Sequence, residues 1–285
     1  MGAGVFQVVH APCGLGPFAG GVFVPTMGAL HEGHAALIRH AASIAGGSAV
    51  VVSVFVNPTQ FNDPKDLERY PRTLDADADL AKAAGADAVF APDVDTMYPP
   101  GEAVPVPELP GAATAPGLED AHRPGHFAGV CQVCLRLFRL VRPSRAVFGE
   151  KDWQQLAVVR AMAARELPGL EIVGHPTVRD ADGLALSSRN ALLTPQQRFR
   201  APAMARALEE AGRHAEPVEA ERAGRMVLLA NRLSPEYVAV RDAATLGPVV
   251  PGRAARVLAA ARCGTVRLID NAAWPGWRIQ NGAGA

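Results

Sequence analysis

The feature that most constrains the fold is an alternation: in the first half of the chain, short β-branched runs take turns with stretches of helical character. Val22-Phe23-Val24, the uncharged run from Ala49 to Val56, Ala88-Val89-Phe90, Ala146-Val147-Phe148 and Ile172-Val173 read as strands. Between them, helices are expected from about His34 to Ala45, from Thr73 to near Gly85, from about Ala128 to Leu140 and from Trp153 to Glu166. Strands and helices in that order build a parallel sheet wrapped by helices, an α/β fold. Thr73 reads as a helix cap, with Asp75 and Asp77 in the first turn, where negative charge suits the helix dipole. Seven prolines lie between Pro99 and Pro124, so extended segments and loops are expected there. The stretch from His10 to Gly21 is too rich in Gly and Pro to read as a helix.

Beyond Thr177 the order changes. Two helical runs, about Thr194 to His214 and Val218 to Asn231, precede apparent strands at Tyr237–Val240, Ala255–Ala260 and Arg267–Ile269. That grouping predicts a separate, smaller α+β unit, dividing the chain into 1–176 and 177–285.

Composition narrows the function. The 28 Lys+Arg balance 28 Asp+Glu among 285 residues, which argues against a dedicated nucleic-acid binder. With 49% hydrophobic and 20% charged residues the chain can bury a large core, and wholesale disorder is excluded. Lysine occurs only at Lys65, Lys82 and Lys151, and none follows a Gly, so a Walker-type phosphate loop is absent. The longest uncharged apolar stretch, Ala41 to Val56, is shorter than the roughly 18 residues of a membrane span. No positively charged leader precedes it, and a cytoplasmic protein is expected. Cys131 and Cys134, near His122 and His126, imitate a zinc site, but the segment reads as a helix and no second cysteine pair follows. Two helix-borne core or boundary cysteines are expected instead, and no metal ligand is assigned.

Four segments can carry chemistry. In Pro25-Thr26-Met27-Gly28-Ala29-Leu30-His31-Glu32-Gly33-His34, a strand runs through a Gly-containing turn into a helix. Backbone N–H groups and the positive end of the helix then face whatever lies beyond the strand. His31 and His34, three apart, share one side and can donate hydrogen bonds to a phosphate as charge builds during its transfer. A satisfied pair of histidines is the ordinary alternative.

Phe148-Gly149-Glu150-Lys151-Asp152-Trp153-Gln154-Gln155 forms a second strand-to-helix junction, where Lys151 can hold polyphosphate oxygens and Asp152 a cation or ribose. A solvated turn is the alternative there. Leu186-Ser187-Ser188-Arg189-Asn190 offers two hydroxyls and a guanidinium to phosphate, or a Ser-rich helix cap. Asn57-Pro58-Thr59-Gln60-Phe61 follows the buried strand, and an amide there can orient a small polar substrate. Gly-x-Ser-x-Gly and His-Glu-x-x-His are both missing, so serine-hydrolase and zinc-protease readings lack their local signatures.

These segments, with Tyr70-Pro71-Arg72-Thr73, Arg123-Pro124-Gly125-His126-Phe127 and Gly183-Leu184-Ala185 leading into Leu186–Asn190, resemble the pantothenate synthetase (pantoate–β-alanine ligase) family in order and spacing. The His-x-Gly-His element is shared with a wider superfamily of adenylyl-transferring enzymes; the Gln-bearing and Phe-Gly-Glu-Lys-Asp motifs narrow it. The resemblance implies a Rossmann-like ATP- and pantoate-binding domain, a smaller C-terminal α+β domain closing over the site, and a homodimer. It implies ATP and Mg²⁺, with pantoate and β-alanine as substrates, no nucleic acid and no membrane.

The implied reaction makes a pantoyl adenylate and pyrophosphate, and the amine of β-alanine then displaces AMP. By the same resemblance Met27, Gly28, Ala29, Leu30, His31, Glu32, Gly33 and His34, then Gly149, Glu150, Lys151 and Asp152, Val178, and Leu186, Ser187, Ser188 and Arg189 surround ATP. His34 is the implied proton donor, His31, Lys151 and Arg189 assist on the phosphates, and Gln60 and Gln155 grip pantoate. The loop Asn62 to Arg72 is the expected lid. Asp120 stands where the family commonly has Gly, and the chain lacks the charged helix usual before the first strand. The rival readings are a related adenylyltransferase acting on a mononucleotide and a non-catalytic adenine-nucleotide-binding protein.

Overall fold

The fold is that of a computed structural model, which describes residues 5–61, 67–68 and 70–276. The chain divides into two compact units: one comprises residues 1–150 and 158–175, the other residues 151–157 and 176–285.

The first unit is built on six strands: β1 (Gln7–Val9), β2 (Val22–Thr26), β3 (Val50–Val54), β4 (Ala88–Phe90), β5 (Arg145–Gly149) and β6 (Glu171–His175). They pair in parallel in the order β1-β4-β3-β2-β5-β6. The expected parallel α/β sheet is present, with one strand more than the sequence suggested. β1 escaped notice because it has three residues; it completes the edge by pairing with β4. Between β1 and β2, Pro12–Phe18 forms a 3₁₀ helix.

Helices cover both faces of the sheet, so the central strands read as unbroken apolar runs. On one face Ala35, Ile38 and Ala41 of the helix Glu32–Ile44 and Ala78 and Ala81 of the helix Leu74–Ala83 pack on Val22, Val24, Val50 and Val52. On the other, Phe138 of the helix His126–Val141 meets Phe23 and Phe148 edge-on at 6.2 and 6.3 Å.

Strand order reverses between β2 and β5, the point at which open α/β sheets bind ligands. The pairing of these two strands stops at Phe23 and Ala146, whereas β5 continues to Gly149. Pro25 has no N–H with which to extend it. The carboxyl ends of the two central strands therefore separate where the first two candidate segments begin.

Two local expectations are corrected. Thr73 stands at the N-cap of Leu74–Ala83 without capping it through its side chain; its hydroxyl lies 3.3 Å from each carboxylate oxygen of Asp77. Asp77 lies in the first turn, as expected, and is buried there. The proline-rich segment contains helical turns at Gly111–Ala113 and Glu119–His122, the latter containing Asp120, whose carboxylate accepts the N–H groups of Gly117 and Leu118.

The second unit holds an antiparallel sheet, β7 (Ser234–Asp242), β8 (Ala255–Cys263) and β9 (Val266–Trp274), paired in that order. Helices Ala203–Ala211 and Pro217–Ala230 supply Met204, Leu208 and Leu228 to a core with Val238, Val257 and Leu268. The single helix expected over 194–214 is two, Pro195–Arg200 and Ala203–Ala211, because Pro202 cannot donate the hydrogen bond that would join them. Among the described residues no helix is long and apolar enough to cross a membrane.

Candidate active site

In the first unit the turn after β2 leads straight into the helix Glu32–Ile44. Gly28 and Ala29 take left-handed backbone angles, φ 83° and 51°. His31 is the N-cap: its Nδ1 accepts the Gly33 N–H at 3.1 Å, and Nδ1 of His34 accepts the His31 N–H at 3.3 Å. A neutral imidazole that accepts on Nδ1 carries its proton on Nε2. The two rings lie 4.2 Å apart between centroids, as their spacing of three predicted.

The turn's N–H groups, expected to face a ligand, are engaged inside the protein. Thr26 Oγ1 accepts from Gly28 at 3.1 Å, and the Asp77 carboxylate accepts from Ala29 at 3.1 Å and from Leu30 at 2.7 Å.

The segment after β3 joins this turn directly. Asn57, almost wholly buried, starts a 3₁₀ turn, Pro58–Gln60, and accepts the Thr59 N–H. Its amide donates to Gln60 Oε1 at 3.1 Å and to the Gly129 carbonyl at 3.2 Å, while the Tyr98 hydroxyl donates to Asn57 Oδ1 at 2.8 Å. Burial raises the Tyr98 ionisation above its usual range, so the hydroxyl, protonated at neutral pH in any case, stays a donor further into alkaline pH. Gln60 Nε2 in turn lies 2.8 Å from Met27 Sδ.

His126 fixes the backbone beneath. Its Nδ1 is 3.0 Å from the Gln60 carbonyl, and its Nε2 is 3.0 Å from Arg123 Nη1. Carbonyl and guanidinium together require the proton on Nδ1, leaving Nε2 as the acceptor. Thus the Arg-Pro-Gly-His-Phe motif supports the Gln60 backbone. Cys131 and Cys134 are buried on the same helix, and burial pushes the Cys131 thiol up to about 11 and Cys134 higher still. Among the described residues no group of three or more His, Cys, Asp or Glu side chains is gathered to hold a metal ion.

Gly149 ends β5 and Glu150 begins a 3₁₀ turn through Asp152. In the second unit Lys151, Asp152 and Gln155 are partly buried, and Lys151 Nζ stands 4.0 Å from Asp152 Oδ2. The main chain here is pinned: the Lys151 carbonyl accepts from Asn271 Nδ2 at 2.8 Å, Trp153 Nε1 donates to the Ala243 carbonyl, and the Arg256 guanidinium stacks 3.5 Å above the Trp153 ring.

Val178 and Leu186 face each other across a hairpin closed by Leu186 N–H to Val178 O at 2.9 Å. Within it Arg179 forks onto both oxygens of Asp270 at 2.6 and 2.9 Å and donates to the Gly183 carbonyl. Ser187 caps the following 3₁₀ turn, Ser188–Leu192, by accepting the Arg189 N–H. Val178 and the Leu186–Arg189 segment, though distant from Lys151 along the chain, therefore belong to one hydrogen-bonded framework with it, carried by the neighbouring β9 residues Asp270 and Asn271.

A model of the family described as pantoate-beta-alanine ligase matches residues 19–273. The chain belongs to that family. A pantothenate synthetase from Pseudomonas putida is 50% identical over 259 residues, covering 87% of this chain and 88% of its own. The crystal structure of pantothenate synthetase from Thermus thermophilus is similar with a TM-score of 0.87 at 46% identity, over 95% of this chain and 100% of that one. That of a Francisella tularensis pantoate-beta-alanine ligase, complexed with Beta-gamma ATP and Beta-alanine, has a TM-score of 0.76 at 31% identity, over 94% and 98%.

Membership of the ligase family makes the chain an enzyme, built on a Rossmann-like domain followed by a smaller C-terminal one. Sequence reasoning passed over Asp77, Tyr98, Asp270 and Asn271, all of which hold the segments that carry the family motifs. Only Asp77 left a signal, as an acidic residue on a helix whose neighbours Ala78 and Ala81 face the core.

Proposed function

We propose that the protein condenses pantoate with β-alanine in two steps on one enzyme, with MgATP as the nucleotide substrate. One observation carries the reading: Gln60, proposed to hold the acid, is hydrogen-bonded to Met27 in the turn proposed to hold the triphosphate. Such adjacency is what an acyl-adenylate reaction needs, since its catalysis is mainly positioning plus stabilisation of charge on the transferring phosphorus.

In the first step a pantoate carboxylate oxygen bonds to the α-phosphorus, the α–β bridging bond breaks, and pyrophosphate leaves. His34, the implied proton donor, offers its Nε2–H to the phosphates as a hydrogen bond that strengthens as charge builds, with His31 beside it. Lys151 and Arg189 add positive charge, and the remaining members of Met27–His34, Gly149–Asp152, Val178 and Leu186–Ser188 bind the nucleotide. Mg²⁺ travels with the triphosphate, in keeping with its habit of retaining phosphate and water ligands. Gln60 and Gln155 hold pantoate. In the second step the β-alanine amine bonds to the adenylate carbonyl carbon, AMP leaves with the bonding pair, and the nitrogen gives up one proton to solvent. The adenylate is hydrolysable, so water must be kept out. The proposed lid, Asn62 to Arg72, lies partly outside the described residues. The resemblance further suggests a homodimer in the cytoplasm.

The test is an assay of purified protein for AMP and pyrophosphate. Pyrophosphate should require ATP and pantoate, and AMP release should rise on adding β-alanine. Nucleotide binding without pyrophosphate would instead identify a sensor, and indifference to β-alanine a transferase of another kind.

A further inference from the structure

The turn between β2 and the first helix has the shape of an anion site: two successive left-handed residues, then the N-terminus of a helix of 13 residues. Consecutive N–H groups in such a turn form a concavity that suits negative charge. Here the concavity already holds an anion belonging to the protein. The Asp77 carboxylate arrives from 47 positions further along the chain and takes the N–H groups of both Ala29 and Leu30, one on each oxygen. Thr73 braces those two oxygens from the other side. Asp77 is 2% exposed, and an ideal Cβ on Gly28 would come within 2.9 Å of its Oδ2, so the turn is packed directly on the carboxylate.

The conformation thus held is one that Ala29 would not choose. A side-chain-bearing residue at φ 51° is sterically disfavoured and persists only where surrounding contacts over-determine it. Two hydrogen bonds from backbone N–H to a buried carboxylate provide such determination, because charge-assisted bonds are roughly twice as strong as neutral ones. Leu30 is followed at once by the N-cap His31, whose own ring and backbone set the position of His34.

We propose that Asp77 is a positioning residue for the reaction. It fills the turn's anion site from within, sets the backbone at Ala29 and Leu30, and thereby places the His31 and His34 imidazoles for the phosphates. The proposal rests on the proposed function only in its reference to the reaction; the placement of the turn can be read without substrate.

The experiment compares Asp77→Asn, Ala29→Gly and the double variant. An amide at 77 turns a donor toward one of the two backbone donors. In Asp77→Asn, amide hydrogen exchange at Ala29 and Leu30 should speed up by tenfold or more while Val51 and Val52 in the central strand exchange as before. Pantoate-dependent pyrophosphate release should fall at least tenfold. Adding Ala29→Gly should then restore at least threefold of the rate, because glycine adopts a positive φ without help. A carboxylate that served stability alone would give the opposite sign, since the glycine would loosen the chain further.

Unchanged exchange at Ala29 and Leu30, or a further loss of rate in the double variant, overturns the proposal. If Asp77→Asn does not fold, Thr73→Val gives the decision: faster exchange at Ala29 and Leu30 supports the proposal and unaltered exchange overturns it. Absence of pyrophosphate release by the unaltered protein would sink the proposed function and leave the exchange result standing.

Discussion

Gly129 lies so close to the backbone of Thr59 that an ideal Cβ on residue 129 would come within 2.4 Å of the Thr59 carbonyl oxygen. This contact seats the helix His126–Val141 on the 3₁₀ turn Pro58–Gln60, and the Asn57 amide closes it by donating to the Gly129 carbonyl. The turn has no room to retreat, because His126 holds the Gln60 carbonyl from the same helix.

Gly129→Ala should therefore act on substrate binding as well as on stability. Overpacking against backbone costs about 1–3 kcal/mol. The displaced turn carries Gln60, so the pantoate KM should rise about tenfold, the factor set by ~1.4 kcal/mol of lost binding. Steady-state kinetics with pantoate and ATP varied separately make the check. An ATP KM that rises as much as the pantoate KM would mean that the disturbance is not confined to the Gln60 turn.

His34→Ala and Gln155→Ala should differ in kind. Losing a positioned acid or oxyanion donor costs roughly 100-fold or more in turnover. His34→Ala should show that loss in kcat, with an unaltered circular dichroism spectrum. Gln155→Ala should leave more of kcat and raise the pantoate requirement. A near-native rate in the first variant refutes the proton-donor role, and a change in ATP affinity alone in the second removes Gln155 from the acid site.

The order of strands and helices was legible because the burial that drives them is periodic in sequence. Ala49–Val56 reads as a strand covered on both faces, and Val50–Val54 is one. The helix Trp153–Glu166 has the predicted bounds. The motif-bearing segments were legible too, since Gly, His and Gln at strand ends have few structural reasons to cluster there.

What escaped were features with no periodicity. β1 is three residues long and gains its stability from β4, some 80 residues away. Asp77 looks like any first-turn acid until the chain returns β2 to its side. Asp270 and Asn271 are polar residues at consecutive buried positions of β9, and their roles depend on Arg179 and Lys151, distant in sequence. Thr73 has the right identity for a cap but faces a carboxylate that competes for its hydroxyl.

Cys131 and Cys134 give the protein an alkaline limit. Burial raises Cys131 from an ordinary 9.0 to about 11 and Cys134 further, so the folded state keeps protons that the unfolded chain sheds. A pKa raised on folding contributes stability that is present below the unfolded value and lost as pH climbs through the folded one. The urea midpoint should therefore fall between pH 9 and 11. The Cys131→Ala, Cys134→Ala double variant, though less stable throughout, should show a flatter profile across that window. Equal slopes in both proteins would assign the alkaline loss to other groups.

The Arg179–Asp270 pair should be costly to break from one side only. Asp270 is 1% exposed at its side chain and Arg179 12%, so the charge left by Asp270→Ala stays largely desolvated. Removing one partner of a buried pair typically costs about 3–5 kcal/mol, whereas replacing both by apolar groups of similar volume is often close to neutral. Asp270→Ala should lower Tm by roughly 10 °C, taking about 2–4 °C per kcal/mol for a domain of this class. Arg179→Met with Asp270→Leu should recover at least half of that. The same double variant still lacks the donors that Arg179 gives to the Gly183 carbonyl inside the Val178–Leu186 hairpin and to the Asn271 carbonyl on β9, the second of which holds the hairpin to that strand. Its ATP KM should stay raised several-fold after stability returns. Calorimetry and initial rates on the three proteins separate the two effects, and recovery of both together would reduce the pair to a stabilising contact with no bearing on the nucleotide.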